Sequence, residues 1–182
     1  MKLITQVTPA VYQTIQTQGF ITADQSKTDF SNYREHYQTL ADLSGLPAFF
    51  FGLVLPDDLD QQLDEHLRDL CSMSSSDNTI LLELELPDDA PCHLHDYYIF
   101  SDYLYGWDET FQLHDGTFLI QSAFTAYMTE FLRKGPTPGC KHIQIIYPRI
   151  ENHQVLSHQV LVEARVITRQ NQTKDVFINH LE

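Results

Sequence analysis

Basic residues are scarce in this chain: 11 Lys and Arg stand against 25 Asp and Glu, a formal charge of −14 with histidine neutral. A surface of that sign repels a phosphate backbone unless its cations cluster locally. The nearest thing to a cluster is Arg133-Lys134 with Lys141 beyond a turn, which is thin. General DNA or RNA binding and docking on an anionic membrane are therefore ruled against, while a basic protein partner stays compatible. Cysteine is scarce too. Cys71, Cys92 and Cys140 are an odd number with no C-x-x-C spacing, which argues against a disulfide scaffold or a zinc finger and for three free, mostly buried thiols. No apolar run approaches the roughly 18 residues that span a bilayer. The N-terminus, MKLITQVTPAVYQTIQ, places Gln and Thr where a signal peptide needs an apolar core, so cytoplasmic residence is expected. Also absent are G-x-S-x-G, the P-loop, G-x-G-x-x-G and H-E-x-x-H. Cys92 beside His93 does not repair this, because neighbours on a strand point to opposite faces.

What remains is a globular composition. The chain has 182 residues, of which 42% are hydrophobic and 12% aromatic, enough for one domain with its own core. There is no internal repeat and no linker. CSMSSSDN (71–78) and GPTPGC (135–140) read as surface loops, so residues 1–182 are expected to form a single domain. Leu3-Ile4 sits in a short strand. Thr8 caps a helix that Pro9 opens and Gly19 closes, and Phe20-Ile21 opens a strand beyond it. NYREHYQTLADL carries Tyr33, Tyr37, Leu40 and Leu43 at helical spacing. PAFFFGLVL (47–55) is a buried strand in which Gly52 marks a bulge or a close backbone approach. PDDLDQQLDEHLRDL is a helix with a stripe of Leu59, Leu63, Leu67 and Leu70 and a solvated acidic face.

ILLELEL follows as a strand of period two, with Leu82, Leu84 and Leu86 on one face and Glu83 and Glu85 on the other. Those two carboxylates stand roughly 6.5–7 Å apart, a spacing used in acid–base pairs, yet no nucleophile or partner base lies beside them. They read as a polar outer face. An aromatic helix from Asp96 and an amphipathic helix over 118–134 are expected next. HIQIIYPRI, QVLVEARVI and KDVFINHL then read as closing strands. The fold class is α+β: a mixed, largely antiparallel sheet packed by four to five helices.

Two stretches carry candidate chemistry. In His93-Leu94-His95-Asp96 an extended chain puts both imidazoles on one face, and Asp96 adds a carboxylate. A metal site there needs a further ligand, for which His114, His142, His153 or His158 would have to fold nearby. Asp96 is equally a helix N-cap, which explains it without a metal. Among the aromatics that follow, Tyr97, Phe100, Leu104 and Trp107 share one helical face, as in a core helix. Tyr98 and Tyr105 lie on the other, where a stacking pocket would place them.

The opening KLITQVTPAVYQTIQTQGFI, the apolar PAFFFGLVLPDDL and above all ILLELELPDDAPCHLHDYYIFSDYL resemble the bacterial family known as domain of unknown function 3841, over roughly the first two-thirds of the chain. That family's pattern has a Trp-containing apolar strand, then a V-L-L-E-hydrophobic-E-hydrophobic-P-D-D-like strand and turn. An Asp-aromatic-x-x-Trp-His-x-hydrophobic-Leu-Asn helix follows. Here Phe49-Phe50-Phe51 replaces the Trp strand, Phe100 and Ser101 stand for Trp-His, and Tyr105 stands for Asn. A family site at those positions would be lost or altered in this chain, and the resemblance implies no known activity. The strand, Thr-Pro-capped helix and Gly-Phe-Ile strand also look like the opening of ADP-ribosyltransferase-type folds. Those bind NAD with a His or Arg on the first strand and a Glu or Gln on a late one. This chain offers Thr5 and Gln6 on the first strand, and Gln144 for the late residue.

Three readings follow. The favoured one is a non-catalytic module that binds a small molecule or a protein. The second is an NAD-cleft transferase-like enzyme with Gln144, Tyr98 and Tyr105 lining its pocket. The third is a metal site of His93, His95 and Asp96. The sequence names no cofactor and leaves enzymatic activity open.

Overall fold

The computed structural model describes residues 1–24, 34–72, 79–98, 110–112, 118–120, 126, 130, 136 and 138–161. In chain order these form β1 (Lys2–Val7), α1 (Pro9–Gln18), β2 (Phe20–Thr22), α2 (Arg34–Ser44), β3 (Phe50–Val54) and α3 (Gln61–Ser72). They continue as β4 (Thr79–Glu85), β5 (His93–Asp96), β6 (Thr110–Gln112), β7 (Phe118–Ile120), β8 (Ile143–Tyr147), β9 (Arg149–Glu151) and β10 (Val155–Leu161). Six strands make the main sheet in the order β10-β4-β1-β3-β8-β5, with β2-β9 and β6-β7 as separate two-stranded sheets. Every recorded pairing is antiparallel. The α+β class therefore holds, and the sheet is antiparallel throughout the described residues.

Short-range signals explain α1. Thr8 Oγ1 accepts from Val11 N at 3.3 Å, and Pro9 needs no hydrogen-bond acceptor at the first helical position. Gly19 closes the helix at φ 82°, a left-handed turn that disfavours any residue with a Cβ, and its N–H reaches Ile15 O at 2.9 Å. α3 begins later than its acidic lead-in suggests. Residues 56–59 turn, with Leu59 N on Pro56 O, and Asp60 caps the helix by accepting from Leu63 N at 2.8 Å.

Alternation along the central strands gives the sheet two apolar faces. On one, Leu3, Val7, Leu82, Leu84, Ile145 and Tyr147 bury against Ile15 of α1 and Ile150 of β9. On the other, Ile4, Leu53 and Leu55 bury against Leu67, with Leu59, Leu63 and Leu70 completing the α3 contact. Each fully buried aliphatic side chain contributes roughly 1.5–3 kcal/mol relative to leaving it in water. Gly52 lies where β1, β3 and β8 crowd together: a Cβ there would sit 2.6 Å from Leu3 Cδ1 and 3.0 Å from Ile4 O. The close approach expected at this glycine is its reason.

Four expectations change. Among the described residues three α-helices are complete, against the four to five expected, with Tyr97, Tyr98, Ala126 and Glu130 helical besides. Phe118–Ile120, expected to start an amphipathic helix, is strand β7 paired with β6 in the register Phe111↔Leu119. β-rich Phe, Ile and Thr on both partners favour a ladder over an isolated helical turn. HIQIIYPRI is not one strand. Pro148 has no N–H to donate and divides it into β8, in the main sheet, and β9, which pairs with β2. The strand expected at QVLVEARVI starts earlier, at Val155. The aromatic helix beyond Tyr98, most of 118–134 and KDVFINHL lie outside the described residues.

Candidate functional site

The outer strand pair β5–β8 receives most of the candidate residues. His95 stands opposite Gln144, and its Nε2 lies 2.7 Å from Gln144 Oε1. An amide oxygen only accepts, so Nε2 carries the proton and donates. His95 is fully buried, and burial pulls its pKa down from 6.5 to about 4, against smaller upward pulls from Gln144 and Asp96. It is a neutral interior imidazole. His93 shares its face of the strand, half-buried and opposite Ile146.

Asp96 falls on the opposite side of β5. It is 1% exposed, and its carboxylate accepts from Tyr98 N at 2.9 Å and from the Cys140 thiol at 3.2 Å. This is the capping role for Asp96, reinforced by a thiol. The three residues of the metal reading are thus divided between two faces. Of the further ligands considered, His158 stacks on Tyr12 at the β10 edge, 5.0 Å between ring centres, and His153 lies in the 3-10 turn Asn152–Gln154. Among the described residues no three His, Cys, Asp or Glu side chains group so as to hold a metal ion.

Tyr98 is different, being a large ring left 38% exposed. Its Oη lies 3.2 Å from His66 Nε2 on α3, and its ring centre is 4.9 Å from that of His142, which precedes β8. The His66 and His142 rings are 5.2 Å apart at 89°, and Tyr97 packs on Tyr98 at 5.3 Å. The backbone pins this corner: Tyr97 N donates to His142 O at 2.9 Å. Partial burial, with Asp96 nearby, raises the Tyr98 phenol pKa.

Of the proposed ligand-binding residues, Tyr98 belongs to this patch, Gln144 bonds to His95 instead, and Tyr105 lies outside the described residues. The residue that sequence reasoning missed is His66. A faint signal existed, since His66 follows Leu63 by three and precedes Leu70 by four, on the border of the buried stripe.

The thiols do not offer a nucleophile. All three cysteines are free. Burial pushes Cys71 up to about 12, burial and the Asp96 carboxylate push Cys140 up to about 12, and burial raises Cys92 as well. Glu83 is also committed: it meets Arg68 Nη2 at 3.5 Å and Ser157 Oγ at 3.3 Å, while Arg68 Nε holds Asp64 at 2.9 Å. It ties α3 to β4 and β10, and Glu85 faces solvent. Among the described residues no helix is long and apolar enough to cross a membrane.

No protein-family model matches the chain, and neither the curated proteins nor the solved structures contain a match to it.

Proposed function

We propose that this protein is a non-catalytic binding module and that its ligand docks on the patch formed by Tyr98, His66 and His142. The observation that carries this reading is the meeting of the exposed Tyr98 phenol with the exposed His66 imidazole and the half-buried His142 imidazole, from three separate segments of the chain. Such a patch offers ring faces for stacking together with hydrogen-bonding groups that fix orientation. The groups that would serve catalysis are otherwise engaged: the thiols are held protonated, His95 is buried and neutral, and Gln144 is bonded to it. An NAD-cleft transferase would need the Gln144 amide turned toward an open pocket. Kinship with domain of unknown function 3841 accompanies this reading as a proposal and adds no activity to it.

The test is thermal unfolding of the purified protein, and of Tyr98→Ala, against NAD, ATP, zinc, nickel and manganese. A ligand at about 100 times its Kd adds about 2.7 kcal/mol, or about 5–10 °C in a chain of this size. The expected result is a shift in the wild type that Tyr98→Ala abolishes. An equal shift in both proteins would place the ligand elsewhere, and turnover of NAD would replace this reading with the transferase one.

A further inference from the structure

We infer that His66, His142 and Tyr98 together bind a single transition-metal ion through two imidazole nitrogens and one phenolate oxygen, Cu(II) most tightly. This rests on the binding-module reading and names the ligand class of its patch. It moves the metal from the His93/His95/Asp96 stretch to residues that the sequence does not connect.

Geometry is the first support. A metal–imidazole bond of about 2.0–2.1 Å puts the ion about 3.2 Å from the ring centre, so two rings on one ion at a tetrahedral angle have centres about 5.2 Å apart. At a right angle the figure is about 4.5 Å by the same bond length. The His66 and His142 centres are 5.2 Å apart. Neighbouring donors on such an ion lie about 2.9–3.4 Å from each other, and His66 Nε2 is 3.2 Å from Tyr98 Oη. The Tyr98 ring packs edge-on against that of His142, 4.9 Å between centres, so the phenol and both imidazoles share one corner.

Pre-organisation is the second support. His66 is held in α3, Tyr98 N is tied to Asp96 Oδ1 at 2.9 Å, and Tyr97 N is tied to His142 O at 2.9 Å. The donors therefore do not have to be gathered from a disordered surface. The Cys140 thiol is engaged on Asp96 Oδ2 at 3.2 Å.

The donor set selects the ion. Two imidazoles and a phenol with no thiolate bind in the usual order of affinities, Cu(II) ahead of Ni(II) and Zn(II), with Cu(II) held away from its preferred square-planar angles by rings spaced for a tetrahedral ion. Binding converts Tyr98–OH to Tyr98–O–metal and releases one proton to solvent, with no change of oxidation state. A chain of net charge −14 concentrates cations near its surface and repels anions.

The experiment uses the untagged full chain titrated with Cu(II) in a glycine-buffered series, read by visible absorption and electron paramagnetic resonance. The wild type should take up one equivalent with a phenolate-to-copper charge-transfer band and nitrogen hyperfine structure. His66→Ala and His142→Gln should each weaken binding by at least about 100-fold, beyond what loss of a supporting group costs. Tyr98→Phe should abolish the band, and His158→Ala at the far sheet edge should change nothing. Circular dichroism of the metal-free variants checks that each is folded. The inference is overturned if no charge-transfer band forms, or if folded His66→Ala binds as the wild type does. Its failure is distinguishable from failure of the binding-module reading, because an organic ligand whose stabilisation is lost in Tyr98→Ala would keep the patch while the copper result removed the metal.

Discussion

His95 makes the stability of this protein sensitive to mild acid in a way that can be isolated. In the unfolded chain its imidazole titrates near 6.5, whereas burial in the β5–β8 pair lowers the folded value to about 4. Between these pH values the unfolded state binds the extra proton, so stability falls as pH drops from 6.5 toward 4 and is level outside that window. From pH 7.5 to pH 5.0 the linked loss is about 2 kcal/mol, approaching 1.4 kcal/mol per pH unit at its steepest. That corresponds to about 4–8 °C in Tm, or about 1 M in a urea midpoint. His95→Gln is the reference, since its amide can still donate to Gln144 Oε1 but does not titrate. Its absolute stability will differ from the wild type by a constant offset, so the quantity read is the slope with pH. At pH 5.0 most Asp and Glu are still ionised, and their contribution cancels in the comparison. The expected outcome is a wild-type Tm that falls by several degrees more than the variant's between pH 7.5 and 5.0. Equal slopes would refute the reasoning, and would mean that His95 is either solvated or charged and paired in the native protein. The ring proton resonances of His95 would show which.

Two further outcomes follow from the fold. Gly52→Ala should lower stability by about 1–3 kcal/mol in urea unfolding. Leu3 Cδ1 can move away from the new methyl, but Ile4 O at 3.0 Å is backbone and Ile145 Cγ2 at 3.2 Å is packed; an unchanged midpoint would show that β1 and β3 can separate freely. Thr8→Ala should cost about 0.5–1 kcal/mol, because one helix N–H loses its acceptor. Thr8→Ser should restore most of it, and a cost common to both substitutions would point away from the cap.

Local rules made several elements legible. Thr8, Pro9 and Gly19 act within one turn of their neighbours, so α1 could be placed to the residue. Period-two alternation in ILLELEL put Leu82 and Leu84 on a buried face, and they are 0% exposed. The Leu59, Leu63, Leu67, Leu70 stripe likewise found its core, with Leu67 fully buried. The failures share another cause. Phe118–Ile120 reads as helix by its neighbours, but its state is decided by a partner strand that sequence does not identify. Pro148 was visible, yet whether it ends a strand or sits at an edge depends on which strands flank it. His95 and Gln144 could each be singled out, but not paired, because 49 residues separate them.

By itself, then, the sequence determined what depends on spacing along the chain: charge, helix caps, the apolar faces of strands and helices, and the side of β5 that each histidine occupies. Only the tertiary structure decided which surface became the candidate site. His66, Tyr98 and His142 meet because α3 packs on the sheet face that carries Ile4 and Leu53 while the Tyr97–His142 hydrogen bond closes the β5 edge. The physical reason is that hydrophobic burial is non-directional and acts through space. It specifies which faces must be covered, while the choice of cover, and the polar groups carried along with it, is settled by the packing of the whole chain.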